Sequence, residues 1–169
     1  QEYVVAKKDV TIEEAIVESF TAQNLKLATA ESCTGGNIAA RITSVAGASS
    51  IFDCSIVAYS NTIKQQLLGV QEDTLCNEGA VSEQTVIQMA EGVKKVSNAD
   101  YGIATSGIAG PGGGTVEKPV GTVWIAVAGK SKTVTRKFQF HNDRIVNIER
   151  STMQALILLW NLYKEELAV

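Results

Sequence analysis

Three runs of small, β-branched or aromatic residues each empty into a polar or glycine-rich turn. Leu25–Ala30 leads into Glu31–Gly36, Ile51–Tyr59 into Asn61–Lys64, and Asp100–Ser106 into Gly107–Gly114. Helical periodicity separates the runs, and strands alternating with helices build a largely parallel sheet. In such a sheet the turns Glu31–Gly36, Tyr59–Lys64 and Thr105–Gly114 gather at one carboxyl edge, where open α/β sheets bind their ligands. Everything else about function is weighed against this convergence.

The helices are read from apolar spacing. Ile12, Ile16 and Phe20 predict a helix over Thr11–Gln23, and Ile38, Ile42 and Val45 predict another that Gly47 ends. Asn61 is the expected N-cap of a short helix with Ile63, Leu67 and Leu68, closed by Gly69. Val70–Ala80 reads as a loop or a weak helical turn. Ser82 then caps a stronger helix whose inner face is Val86, Met89, Ala90, Val93 and Val96. Thr122–Ala128 and Thr133–Phe140, joined by Gly129–Lys132, predict an antiparallel hairpin. Asp143 opens a last helix with Ile145, Ile148, Ala155, Leu159 and Leu162 facing inwards. The expected fold is α/β, a three-layer α/β/α sandwich with a mixed, partly parallel sheet. At 169 residues, 45% hydrophobic and 20% charged, residues 1–169 fit a single globular domain.

Composition narrows the function classes. The net charge of −3 shows no basic stripe, so no nucleic acid is expected as a partner. No apolar run approaches a membrane span, and no membrane partner is expected. The single histidine, His141, excludes multi-histidine metal sites, and no HExxH or magnesium-spaced Asp cluster occurs, so no metal or cofactor is expected. Cys33, Cys54 and Cys76 lack a CxxC pattern and suit reduced thiols in a cytoplasmic protein. Gln1–Val10 has no apolar segment of a secretory leader. Association of the chain with its own copies is left open.

Ser32 lies in a strand-to-helix turn, where the N–H groups that start a helix can stabilise an oxyanion. The plain local reading, favoured by sequence alone, is that Ser32 or Thr34 caps the helix. Cys33 is an alternative nucleophile, but it would want a histidine partner and His141 shows no sign of proximity. Lys64 falls about one turn into the helix after Tyr59; desolvated in a cleft, it could serve as base to a serine, with Tyr59 orienting the proton. A solvated lysine and a strand-end tyrosine are the plain alternative. The Gly107–Gly114 segment matches neither GxGxxG nor, with Trp124 in the first glycine's place, a Walker A loop at Lys130. It is either a structural loop or an anion cradle, with Thr115 and Lys118 nearby. GxSxG and SxxK are absent.

Ala30-Glu31-Ser32-Cys33-Thr34-Gly35-Gly36, Tyr59-Ser60-Asn61 with Lys64, Leu68-Gly69-Val70, Gly79-Ala80-Val81-Ser82, Ser106-Gly107-Ile108-Ala109-Gly110-Pro111 and Lys118-Pro119-Val120-Gly121-Thr122-Val123 occur in that order. Together they resemble the CinA C-terminal-domain family, from about residue 10 to about residue 165. The family contains nicotinamide-nucleotide amidases, so the resemblance implies hydrolysis of nicotinamide mononucleotide to nicotinate mononucleotide and ammonia, without a metal. It also implies the three-layer fold. Ser32 would be nucleophile, Lys64 base and Tyr59 a helper. Thr34, Gly35, Gly36, Thr105, Ser106, Gly107, Gly110 and Arg144 would line a pocket for a small-molecule nucleotide.

Two departures stand out. Many members carry Gly-Asp-Arg where this chain has Asn142-Asp143-Arg144, and a following arginine is displaced to Arg150. The phosphate ligand is therefore open among Arg144, Arg150 and Lys118. Members with an additional nucleotide-pyrophosphatase-like domain exist, and these 169 residues are expected to hold only the C-terminal one. A non-catalytic nucleotide-binding module, or a hydrolase of another small amide, is the competing reading.

Overall fold

A computed structural model describes residues 10–141 and 143–168. The opening segment 1–9 and Asn142 lie outside the described residues, so the reading of a leader and part of the Asn142-Asp143-Arg144 element fall there.

Helix α1 (Ile12–Ala22) starts where Thr11 and Glu14 form a capping box: Thr11 Oγ1 accepts the Glu14 N–H, and the Glu14 carboxylate accepts the Thr11 N–H at 2.7 Å. Five strands follow the sequence reading closely: β1 (Leu27–Glu31), β2 (Phe52–Val57), β3 (Tyr101–Gly107), β4 (Thr122–Ala128) and β5 (Thr133–Gln139). They form one sheet in the order β2-β1-β3-β4-β5. β1 runs parallel to both β2 and β3, whereas β4 and β5 are antiparallel, which makes the sheet mixed as expected.

Side-chain size alternates along the central strands. Leu27, Ile103 and Ile125 belong to one core together with Ile16 and Phe20 of α1, Ile38 of α2 (Asn37–Thr43) and Leu156 and Leu159 of α6 (Arg144–Leu167). Ala28, Ala104 and Ala126 belong to the other, against Leu68 of α3 (Asn61–Leu68) and Val86, Met89 and Val93 of α5 (Glu83–Ser97). Small residues on that face let α5 come close: a Cβ on Gly102 would stand 2.3 Å from the Ala90 carbonyl oxygen. The three layers are thus α1/α2/α6, sheet, and α3/α5.

Several expectations are corrected. Leu25, Leu27 and Thr29 alternate in the sequence with Lys26, Ala28 and Ala30 as in a half-buried strand, yet all five residues of β1 are buried, because a central parallel strand is covered on both faces. The cap of α3 is Ser60, whose Oγ accepts the Ile63 N–H at 3.2 Å, and Asn61 is the first helical residue. Of the two readings of residues 70–80, the helical one holds: they contain a short helix, α4 (Glu72–Asn77). Val96 is 61% exposed because it lies at the margin of the apolar arc, past the last buried position, Val93. Ile145 is 71% exposed, since α6 meets the core only from Asn147 onward. Among the described residues no helix is long and apolar enough to cross a membrane, and none of the three cysteines is in a disulfide.

Candidate active site

The parallel run of β1, β2 and β3 brings their three carboxyl-terminal turns together, and a cleft of about 190 Å³ opens between them. It is lined by Ser32 and Cys33 from the first turn, Tyr59, Asn61 and Lys64 from the second, and Ser106, Gly107 and Ala109 from the third. Ala80, Val81 and Arg144 complete the wall.

Lys64 reaches the cleft because α3 turns only two side chains fully inward, Lys64 and Leu68, one helical turn apart. Lys64 is 1% exposed. Its Nζ donates to the Ala58 carbonyl at 2.6 Å and lies 3.1 Å from Ser32 Oγ. Burial pulls the Lys64 ammonium below its ordinary 10.5, because a charge withdrawn from water is disfavoured.

The first turn is organised by a residue that the sequence reading did not single out. Glu31, fully buried, accepts the N–H groups of Gly36 (3.0 Å), Ile38 (3.1 Å) and Ala39 (2.9 Å). The capping alternative for Ser32 and Thr34 is thereby corrected: the start of α2 is satisfied by Glu31, and Gly36 at its N-cap makes no side-chain cap. Gly36 takes φ +98°, a conformation that suits glycine. A carboxylate at a strand end just ahead of a Gly-Gly helix start was the available signal.

The remaining predicted residues divide into two groups. Ser106, Gly107 and Arg144 line the cleft beside Ser32, Lys64 and Tyr59. Thr34, Gly35, Gly36 and Thr105 stand behind it: Thr34 Oγ1 is 2.7 Å from Thr105 Oγ1, and both threonines are buried. Gly110 acts through its carbonyl, which accepts Arg144 Nη1 at 2.9 Å, while Nη2 of the same arginine donates to the Tyr59 hydroxyl at 3.0 Å. Tyr59 is therefore tied to Arg144 across the mouth. Lys118 lies in a separate groove with Trp124 and Lys137, its Nζ donating to the Glu78 carbonyl at 2.6 Å. Arg150 and His141 are exposed and outside the cleft lining.

Cys33 has the wrong surroundings for a nucleophile. Burial, reinforced by the Glu31 carboxylate, pushes its thiol up to about 12, so the reactive thiolate is scarce near neutral pH. Ser106 has its hydroxyl committed to the Ala80 carbonyl at 2.7 Å. Ser32 is the cleft hydroxyl that meets a buried amine. Among the described residues no three His, Cys, Asp or Glu side chains come together as a metal cluster.

Known proteins share this arrangement of the chain. Residues 9–163 match the family described as CinA C-terminal domain. A CinA-like protein of Cytophaga hutchinsonii is 48% identical over 165 residues, 98% of this chain and 40% of the relative. A CinA-like protein of Thermotoga maritima is 46% identical over 155 residues, 92% of this chain and 38% of the relative. This chain thus spans about two fifths of the length of these curated relatives. Among solved structures, the competence/damage inducible protein CihA from Agrobacterium tumefaciens superposes with TM-score 0.88 at 40% identity, covering 90% of this chain and 93% of that one. A CinA superfamily protein from Escherichia coli gives TM-score 0.87 at 30% identity, covering 96% and 93%. With nearly its whole length matched in sequence and in fold, the chain belongs to the CinA C-terminal domain family.

Proposed function

We propose that this domain is a metal-independent amidase that hydrolyses the carboxamide of nicotinamide mononucleotide, with Ser32 as nucleophile and Lys64 as its base. The observation that carries the reading is the 3.1 Å approach of Lys64 Nζ to Ser32 Oγ on the floor of a cleft, with Lys64 almost fully buried. Unprotonated Lys64 takes the Oγ proton as Ser32 attacks the carboxamide carbon. The oxyanion is met by N–H groups of the turn; those of Cys33 and Thr34 donate to no oxygen among the described residues. Collapse of the tetrahedral intermediate breaks the C–N bond. The lysine returns its proton to the leaving nitrogen, so ammonia departs and an acyl-serine ester remains. Water, deprotonated by Lys64 in turn, releases the carboxylate and restores Ser32.

Arg144 stands at the mouth, where a guanidinium can exchange neutral acceptors, the Gly110 carbonyl and the Tyr59 hydroxyl, for a phosphate. That exchange would free the Tyr59 hydroxyl for the proton-transfer step. Binding energy from a remote phosphate then serves to place the amide against Ser32.

The test is ammonia release from nicotinamide mononucleotide, nicotinamide riboside and free nicotinamide, each with EDTA. The expected result is release that EDTA leaves unchanged and that is greatest on the mononucleotide. Nucleotide binding by calorimetry without any ammonia would refute the amidase reading. Because the base must be neutral, kcat/KM is expected to rise with pH through a Lys64 titration below 10.5. Cys33→Ala is expected to retain full activity, and iodoacetamide at pH 7 should not inactivate the protein through Cys33, since burial pushes its thiol up to about 12. Loss of turnover in Cys33→Ala at unchanged folding would return the nucleophile to the cysteine.

A further inference from the structure

Glu31 ends β1 one residue before Ser32, and strand alternation sends its side chain to the α2 side of the sheet, away from Lys64. It is 0% exposed, yet among the described residues no lysine or arginine forms an ion pair with it. Its partners are instead three N–H groups that open α2, those of Gly36, Ile38 and Ala39. Thr34 Oγ1 adds a hydrogen bond at 2.6 Å, and Thr29 Oγ1 another at 3.3 Å. A helix start leaves such N–H groups without partners, and a carboxylate answers several at once and suits the positive end of the helix dipole. The other well-formed caps in this chain, at Thr11, Ser60, Ser82 and Asp143, are adjacent to their own helices. Among the described residues only α2 is held from the preceding strand, across the whole Ser32–Gly36 turn.

The far side of that turn is pinned as well. The Ser32 N–H donates to the Thr105 carbonyl at 3.0 Å, and Thr34 meets the Thr105 hydroxyl at 2.7 Å. Ser32 therefore sits between two anchors, β3 on one side and the Glu31 carboxylate on the other. The carboxylate also occupies the α2 N-terminus, closing it to any anion of a ligand.

We infer that Glu31 is a positioning residue for the nucleophile: its carboxylate locks the Ser32–Gly36 turn so that Ser32 Oγ stays beside Lys64 Nζ. This rests on the assignment of Ser32 as nucleophile. Glutamine keeps the length of the side chain but replaces one acceptor oxygen with an NH2 that would face N–H donors, so the turn loses part of its anchorage.

The experiment is the rate at which a fluorophosphonate labels Ser32, read by mass spectrometry and normalised to the folded fraction from near-UV circular dichroism. Glu31→Gln is expected to label about 100-fold more slowly per folded molecule, because misplacing a reacting group by about 1 Å costs that order. The pH dependence of labelling should stay where it is in the native protein, since Glu31 acts on position and not on the protonation of Lys64. Equal labelling rates per folded molecule would reduce Glu31 to a stability element and overturn the inference. If Glu31→Gln does not fold, Thr34→Val decides, since it cuts the tether to both Glu31 and Thr105: about tenfold slower labelling supports the inference and an unchanged rate overturns it. A native protein that is never labelled at Ser32 removes the assignment of the nucleophile itself, and this inference with it.

Discussion

Lys64→Met is expected to lower kcat for ammonia release from nicotinamide mononucleotide by at least about 10³-fold while the protein stays folded, because the substitution removes the proton acceptor beside Ser32 and keeps an apolar stem of similar length. Ser32→Ala should fall as far. The double variant should be no worse than either single one, since groups that act as a unit do not lose activity additively. Additive losses, or a Lys64→Met protein with native turnover, would dissolve the pair. The same substitution has a signature in stability. The folded state holds Lys64 below the 10.5 of an exposed lysine, so between the lowered value and 10.5 the unfolded chain binds more protons. Stability from this group therefore rises with pH across that window and is lost as pH falls through the folded value. Urea titrations at several alkaline pH values should show that rise in the native protein and not in Lys64→Met.

Gly92→Ala is expected to destabilise the fold by about 1–3 kcal/mol, a fall in Tm of about 2–4 °C for each kcal/mol in a chain of this size. In an open helix the same change would stabilise by about 1 kcal/mol, because alanine is the better helix former. The sign is therefore diagnostic. A Cβ at position 92 of α5 would lie 2.0 Å from the Leu68 carbonyl oxygen, in the last turn of α3. Backbone cannot yield as a side-chain tip can, so α3 must move away. α3 carries Lys64, so kcat is expected to fall together with Tm, while a variant at an open glycine such as Gly112 should leave kcat untouched. Thermal denaturation followed by circular dichroism, with kcat measured on the same samples, checks both. A Gly92→Ala protein as stable as the native one would show that the α3–α5 contact is loose and does not govern the lysine.

Much of the architecture could be read directly from residue patterns. The spacing of Ile12, Ile16 and Phe20, the apolar run before Glu31 and the Gly129–Lys132 hairpin are local signals, and local propensity and periodicity produce them. The shared direction of three strand ends places the turns of Ser32, Tyr59 and Lys64 at one edge, but their naming as one catalytic group comes from the family resemblance, since a capping serine and a solvated lysine fit the local pattern as well. Val96 and Ile145 could not be placed the same way, because an apolar residue at the margin of a helix is buried or exposed according to the element that happens to cover it.

The order of residues along the chain settled which elements form and which edge of the sheet gathers the polar turns, since hydrophobic period and strand direction are properties of short segments. Folding settled the rest: that Lys64 is buried and meets Ser32 at 3.1 Å, that Cys33 is buried beside it, and that Glu31 holds the turn from behind. These depend on burial, which changes the proton affinity of an amine or a thiol, and on contacts between residues far apart in the chain. Neither is written in any local pattern.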